Sequence, residues 1–242
     1  MSHTLLLRLV APMQSWGVQS DFTHRDTGLE PSKSGVIGLL CAALGKPRDE
    51  THPENQGKPT LAELSQLRMG VRVDREGLLK RDYHTAKDVR KASGKTMKDT
   101  KPTELSERFY LADAAFLVGL ECDQLDFLYR LDAALHNPHW LLFLGRKAFT
   151  PAGPIWIQDG IKESQSLEDA LRQQPRLCRI TPEDEPARLV IETRTGERGE
   201  IVRRDSPISF VKGQRQFGVR QMRMDFCTPP PYQEDRPCTS PA

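Results

Sequence analysis

The run from Leu5 to Val10 is apolar except for Arg8 and predicts a first strand, stopped by Ala11 and Pro12. The polar segment that follows, through Glu30, holds too much Gly, Asp and Thr for a helix. Beyond Pro31, residues Val36, Leu39, Leu40, Ala43 and Leu44 recur at helical spacing within Lys33 to Leu44. Ser32 stands as N-cap and Gly45 as the C′ residue. A short helix over Leu61 to Leu67, a strand from Met69 to Asp74 and a turn near Gly77 come next. A strand starting near Leu79 returns only after a long insertion, through Arg108 to Leu120. Leu125, Leu128, Leu131 and Leu135 restore the helical period, Pro138 ends it, and Trp140 to Leu144 is an apolar strand candidate. The order strand, helix, strand, strand, helix, strand predicts an α+β fold on a ferredoxin-like split βαβ unit.

The C-terminal half is less regular. Leu167 to Gln173 predicts a short helix and Arg188 to Thr193 a strand. A turn over Thr195 to Gly199 leads back through Glu200 to Arg204, and Phe217 to Phe226 adds a further strand. Lys87 to Thr103 lacks apolar periodicity and contains Gly94 and Pro102, so it is expected to be a mobile insertion that does not pack on the core. Pro229 to Ala242 is expected to be a disordered tail.

At 242 residues the chain can bury roughly 70–75% of its extended surface, enough for one large core. Lys and Arg total 35 against 33 Asp and Glu, so net charge alone identifies no polyanionic partner. Local segregation says more: Lys80 to Lys101 holds eight basic and three acidic residues, and Arg194 to Arg223 again eight and three. Met1 to Val10 is neither a signal peptide nor a membrane span. Cysteines 41, 122, 178, 227 and 238 are odd in number and scattered without CxxC spacing. Unpaired thiols in a reducing, cytoplasmic compartment are therefore expected, without structural zinc.

Neither GxSxG, HExxH nor a phosphate-binding glycine loop occurs, and Pro138 interrupts any helix that could align His136 with His139. No catalytic residue, cofactor site or metal site is therefore assigned. Tyr83 and His84, with Lys80, Arg81 and Lys87, form the one constellation that could cleave RNA without a metal, although neighbouring strand residues face opposite ways. RNA contact uses the same charges more simply. Lys33 and Ser34 open the clearest helix, where free backbone N–H groups favour a phosphate, with a solvent-facing lysine as the plain alternative. Trp16 either stacks on an unpaired base or packs against the sheet. Gly145, Arg146 and Lys147 put two cations on a turn.

Several blocks, in consistent order between Leu5 and Met224, resemble the CasD subunits of type I-E CRISPR Cascade complexes, within the RAMP superfamily. They are Leu7 to Gly17, Thr27-Gly28, Pro31 to Leu40, Asp82 to Thr85, Arg108 to Ala114, Leu144 to Lys147 and Arg203 to Pro207. The resemblance implies a RAMP domain over 1–79 and 108–228 with an irregular C-terminal sheet extension, and a basic β-hairpin thumb over 80–107. It further implies a non-catalytic subunit that binds the 5′ handle of a guide RNA and caps a row of backbone subunits. Such a subunit also touches the large subunit, and target DNA mainly through the assembled complex. The handle would lie near the loop after the first strand, Lys33-Ser34 and Gly145 to Lys147, and the thumb, which carries the RNA-contact candidates Arg81 and His84, would meet the adjacent backbone subunit and the guide. Arg25, Arg108, Tyr110 and Arg204 are further RNA-binding candidates by motif position. Glu30 lies where many relatives carry a basic residue, which interrupts a basic track from Arg25 to Lys33. Phe149 and Phe217 replace a common cysteine and tyrosine. A metal-independent endoribonuclease and a protein-only scaffold are the alternative readings.

Overall fold

The computed structural model describes residues 1–19, 23–87, 103–180, 182, 185–194, 196–197 and 199–233. Residues 88–102 of the expected mobile insertion, and 234–242 of the expected tail, lie outside the described residues. The elements in chain order are β1 (His3–Val10), β2 (Met13–Gln14), β3 (His24–Arg25), α1 (Lys33–Ala43), α2 (Leu61–Gln66), β4 (Arg68–Arg75), β5 (Leu78–Ala86), β6 (Glu104–Ala112), β7 (Ala115–Cys122), α3 (Leu125–His136), β8 (Trp156–Lys162), α4 (Leu167–Gln173), β9 (Ala187–Glu192), β10 (Ile201–Ser209) and β11 (Gln216–Cys227).

The main sheet runs β10-β11-β9-β4-β7-β1-β8, and every neighbouring pair is antiparallel. Its β4-β7-β1-β8 portion places the first strand between the third and fourth, as the split βαβ order requires. β1 explains its own imperfect alternation, because both faces of the strand are covered. Leu5, Leu7 and Leu9 enter the cluster built with α1 and α3, whereas Leu6 enters a second cluster with Leu167 and Leu171 of α4. Each of these leucines is fully buried, a contribution of about 1.5–3 kcal/mol apiece. α1 begins where expected: the Ser32 side chain accepts the Gly35 N–H. The helix ends before Gly45, which adopts φ 61°. α2 opens on a reciprocal capping box between Thr60 and Glu63.

Two expectations are corrected. Arg108 to Leu120 is not one strand. Asp113, at φ 58°, turns the chain sharply, so β7 joins the main sheet while β6 belongs to a second, smaller one. Trp140 to Leu144 is not a strand either. The His139 and Trp140 N–H groups donate to the Ala43 and Ala42 carbonyls, so this apolar run straps the C-terminal end of α1. The strand that completes the sheet is β8, whose mixed polarity and bulged register against β1 hide it from the hydrophobic pattern.

Candidate nucleic-acid interface

The small sheet is the platform. β6 pairs antiparallel with β5 and β2, and parallel with β3. The parallel register sets Arg25 directly beside Arg108, and the β5 register sets Asp82 beside Arg108 and Lys80 beside Tyr110. Because side chains alternate along strands, one face carries Arg25, Arg108, Tyr110, Lys80, Asp82 and His84. The opposite face carries Arg81, Tyr83, Phe109 and His24, and there the Arg81 guanidinium donates to Glu107 at 2.9 Å.

A turn from elsewhere in the chain completes the first face. Ser15 donates its backbone N–H to the Leu144 carbonyl at 3.1 Å, which presses Gly145 against the Ser15 carbonyl. A Cβ at Gly145 would overlap that oxygen, and its φ of 101° is likewise suited to glycine. Arg146 then reaches under the small sheet and donates to the Phe109 carbonyl at 2.8 Å and the Arg25 carbonyl at 3.4 Å. Its guanidinium lies 5.4 Å from the centre of the Phe149 ring, which is tilted against Tyr110 at 5.8 Å. Lys147 is exposed on the same turn.

Three guanidinium groups thus converge. Burial pushes the Arg146 pKa down, the positive charges of Arg108 and Arg25 push it further, and Asp82 and Asp26 offset this only in part. Arg108 donates to the Ser106 hydroxyl at 3.0 Å. Among the described residues, no carboxylate lies within ion-pair distance of Arg25, Arg108 or Arg146. A phosphate would supply the missing counter-charge and accept charge-assisted hydrogen bonds.

Four other sequence candidates, Lys33, Ser34, Trp16 and Arg204, lie apart from this cluster. Lys33, expected at a phosphate, is 2% exposed and donates to both oxygens of Glu192 at 2.8 and 2.9 Å. Burial pulls its pKa down against the pull of Glu192. The anion at the start of α1 is internal as well: Asp205 accepts the Lys33 backbone N–H at 2.9 Å and is gripped in turn by Arg220. Ser34 is half-buried beside Ser32, their hydroxyls 3.5 Å apart. Trp16 adopts the packing alternative. It is 2% exposed, its indole N–H donates to Gln14, and its ring lies against Gly35. Arg204 is exposed on β10, in the other sheet. Its neighbour Arg203 pairs with buried Glu30, which also holds Arg188 at 2.9 Å. Glu30 therefore ties the C-terminal strands to the loop before α1.

Tyr83 and His84 point to opposite faces, with His84 3.8 Å from Asp82. Among the described residues no group of three or more His, Cys, Asp or Glu side chains could hold a metal, and no helix is long and apolar enough to cross a membrane. Sequence reasoning missed Phe149 and the Ser15 backbone as supports of the cluster, and Asp26 and Asp82 as its nearest counter-charges. The Gly-Arg-Lys turn was the only local signal for any of them.

Residues 4–223 match the family model described as CRISPR-associated protein (Cas_Cas5). The chain is 31% identical over 235 residues to the CRISPR system Cascade subunit CasD of Escherichia coli strain K12, covering 91% of this chain and 95% of that protein. It superposes on the crystal structure of a Cas protein with a TM-score of 0.71 at 38% identity, covering 93% and 95% of the two chains. A chain of a CRISPR RNA-guided surveillance complex gives a TM-score of 0.73 at 32% identity, covering 94% and 91%. The chain therefore belongs to the Cas5 family of CRISPR-associated proteins.

Proposed function

We propose that this protein is a non-catalytic subunit of a CRISPR surveillance complex that holds the 5′ handle of the guide RNA and caps the row of backbone subunits. The observation that carries the reading is the convergence of Arg25, Arg108 and Arg146 without a carboxylate partner among the described residues, beside Tyr110 and Lys147. Such a cluster neutralises closely spaced phosphates, which position an RNA, while a neighbouring aromatic ring can meet an unstacked base. Lys33 and Trp16 leave the contact set and serve the fold. Ser34, Arg81 and Arg204 lie outside the cluster, and His84 shares its face at the margin. The β5–β6 pair of the second sheet is the base of the proposed thumb toward a neighbouring subunit. A noncatalytic role suits the separation of Tyr83 from His84 across the strand.

The test is handle-RNA affinity of the assembled complex across a salt series, with Arg25, Arg108 and Arg146 each changed to Gln and then combined. Removing a phosphate-binding charge should lower the slope of log affinity against log salt by about 0.7–0.9 per phosphate. An unchanged slope in the triple variant refutes the assignment. Cleavage of labelled repeat RNA in excess chelator, abolished by His84→Ala, would favour the endoribonuclease reading instead.

A further inference from the structure

The second basic run, from Arg194 to Arg223, has no part in the handle site, and its charges are not equivalent in the fold. Of its eight cations, three are neutralised inside the protein. Arg203 pairs with Glu30; Arg220 binds Asp205 at 2.6 Å; Arg223 binds Glu168 at 3.1 Å. Arg194 leans on Glu121 at 3.6 Å, and Arg198 lies outside the described residues. Arg204, Lys212 and Arg215 remain. All three are exposed, and among the described residues no carboxylate comes within ion-pair distance of any of them.

These three cations share one element. β10 and β11 form an antiparallel ribbon at the outer edge of the main sheet, joined by a tight turn in which Gln214 donates to the Val211 carbonyl and Gly213 adopts φ 82°. Arg204 sits mid-ribbon opposite Val219, and Lys212 and Arg215 sit at the tip. Between Ile201 and Val219 the only acidic residue is Asp205, which is 1% exposed. The solvent side of this segment therefore carries cations and no exposed carboxylate, with exposed Val202, Ile208 and Val219 beside them.

We infer that the outer β10–β11 ribbon is a second nucleic-acid contact, which holds the phosphate backbone of duplex DNA through Arg204, Lys212 and Arg215. Charge complementarity selects a polyanion, and shape selects which one. A single strand is normally gripped by free aromatic faces. Here Phe210 packs on the core and meets Phe217 edge-on at 6.5 Å, and both are only partly exposed, so the tip offers no open ring face; exposed Phe226 lies beyond the two-stranded part, where β11 pairs with β9. The A-form major groove is too narrow and deep for side chains to read, whereas the B-DNA major groove admits a two-stranded β-ribbon. Eight residues separate Arg204 from Lys212, a span of roughly 26 Å at ~3.3 Å per residue. That is enough to reach both phosphate rims of a groove ~12 Å wide.

The test uses the full chain and the complex assembled from it. Fluorescence anisotropy across a salt series would compare a 30-base-pair DNA duplex, the same duplex in RNA, and handle RNA. The combined variant Arg204→Gln, Lys212→Gln, Arg215→Gln should keep the wild-type melting temperature, since all three side chains are exposed. Its salt slope for duplex DNA should fall by about 2 to 3, with handle-RNA affinity unchanged. Replacing Arg204 and Arg215 by Lys should retain the duplex slope. The inference is overturned if wild-type protein binds no duplex DNA, if the Gln variant keeps its slope, or if handle-RNA affinity falls in equal measure. Failed recruitment of protein subunits with duplex binding intact would overturn it in favour of a protein interface.

Discussion

Lys33→Met separates a buried structural lysine from a surface phosphate contact. The substitution keeps an apolar stem of similar length and removes the ammonium that donates to both Glu192 oxygens at 2.8 and 2.9 Å. Glu192 would retain the Met69 N–H at 3.1 Å and Arg220 at 3.7 Å, so its charge would be left buried with weaker company. Breaking one partner of a buried ion pair costs about 3–5 kcal/mol. For a chain of this length each kcal/mol moves the melting temperature by ~2–4 °C, so a fall of roughly 6–20 °C is expected. Adding Glu192→Gln should recover at least half of it, because the orphaned charge is then gone. Thermal unfolding monitored by circular dichroism reads both numbers, and handle-RNA binding at a temperature where both proteins are folded reads the rest. A melting temperature within a degree or two of wild type, together with a tenfold loss of RNA affinity, would refute the buried role and restore the phosphate role.

Three other positions set outcomes of their own. Gly145→Ala meets the Ser15 carbonyl at a φ of 101°. It should cost about 1–3 kcal/mol and weaken handle binding by displacing Arg146; full RNA affinity in the folded variant would contradict the positioning of Arg146. Arg72 is fully buried, pairs with Asp74 at 2.6 Å and donates to the Leu171, Gln174 and Pro175 carbonyls, so it fastens the end of α4 to the sheet. Arg72→Met should cost about 3–5 kcal/mol and speed hydrogen exchange in α4 above all, which mass spectrometry can localise. Burial alone would raise the Glu168 pKa, but hydrogen bonds from Arg68, from its own backbone N–H and from Arg223, together with the charge of Arg68, outweigh it and hold the carboxyl at about 2, below the ordinary 4.5. A lowered folded pKa stabilises above the unfolded value, and that stability disappears as pH falls through the folded one. Melting temperature should therefore drop between pH 4.5 and about 2, and Glu168→Gln should flatten that window. An equally steep decline in the variant would exclude Glu168 as its source.

The elements that proclaimed themselves in the sequence are those with apolar residues at helical spacing or a local capping signal. α1 has Ser32 and Gly45, α2 has Thr60 and Glu63, and α3 has its leucines every three or four residues. β8 did not, because Gln158, Asp159 and Gly160 break its apolar run, while the more apolar Trp140 to Leu144 straps a helix end. The split between β6 and β7 was illegible because both are apolar enough for strands and only the left-handed Asp113 divides them. For the site, the sequence located cations without saying which of them the fold neutralises. Lys33 meets a carboxylate 159 residues away and Arg203 one 173 residues away. No local charge pattern contains those pairings. Arg25, Arg108 and Arg146 become one cluster only through a parallel strand register and a turn pinned to Ser15.

Photo-crosslinking of the assembled complex, with 4-thiouridine placed through the 5′ handle of the guide and the products mapped by mass spectrometry, asks the central question directly. The handle should cross-link to peptides containing Arg108 to Tyr110 and Arg146 to Phe149, and those cross-links should fade in the combined Arg25, Arg108 and Arg146 variant. Handle cross-links confined to the α1 region around Lys33, or to other subunits, would contradict the account.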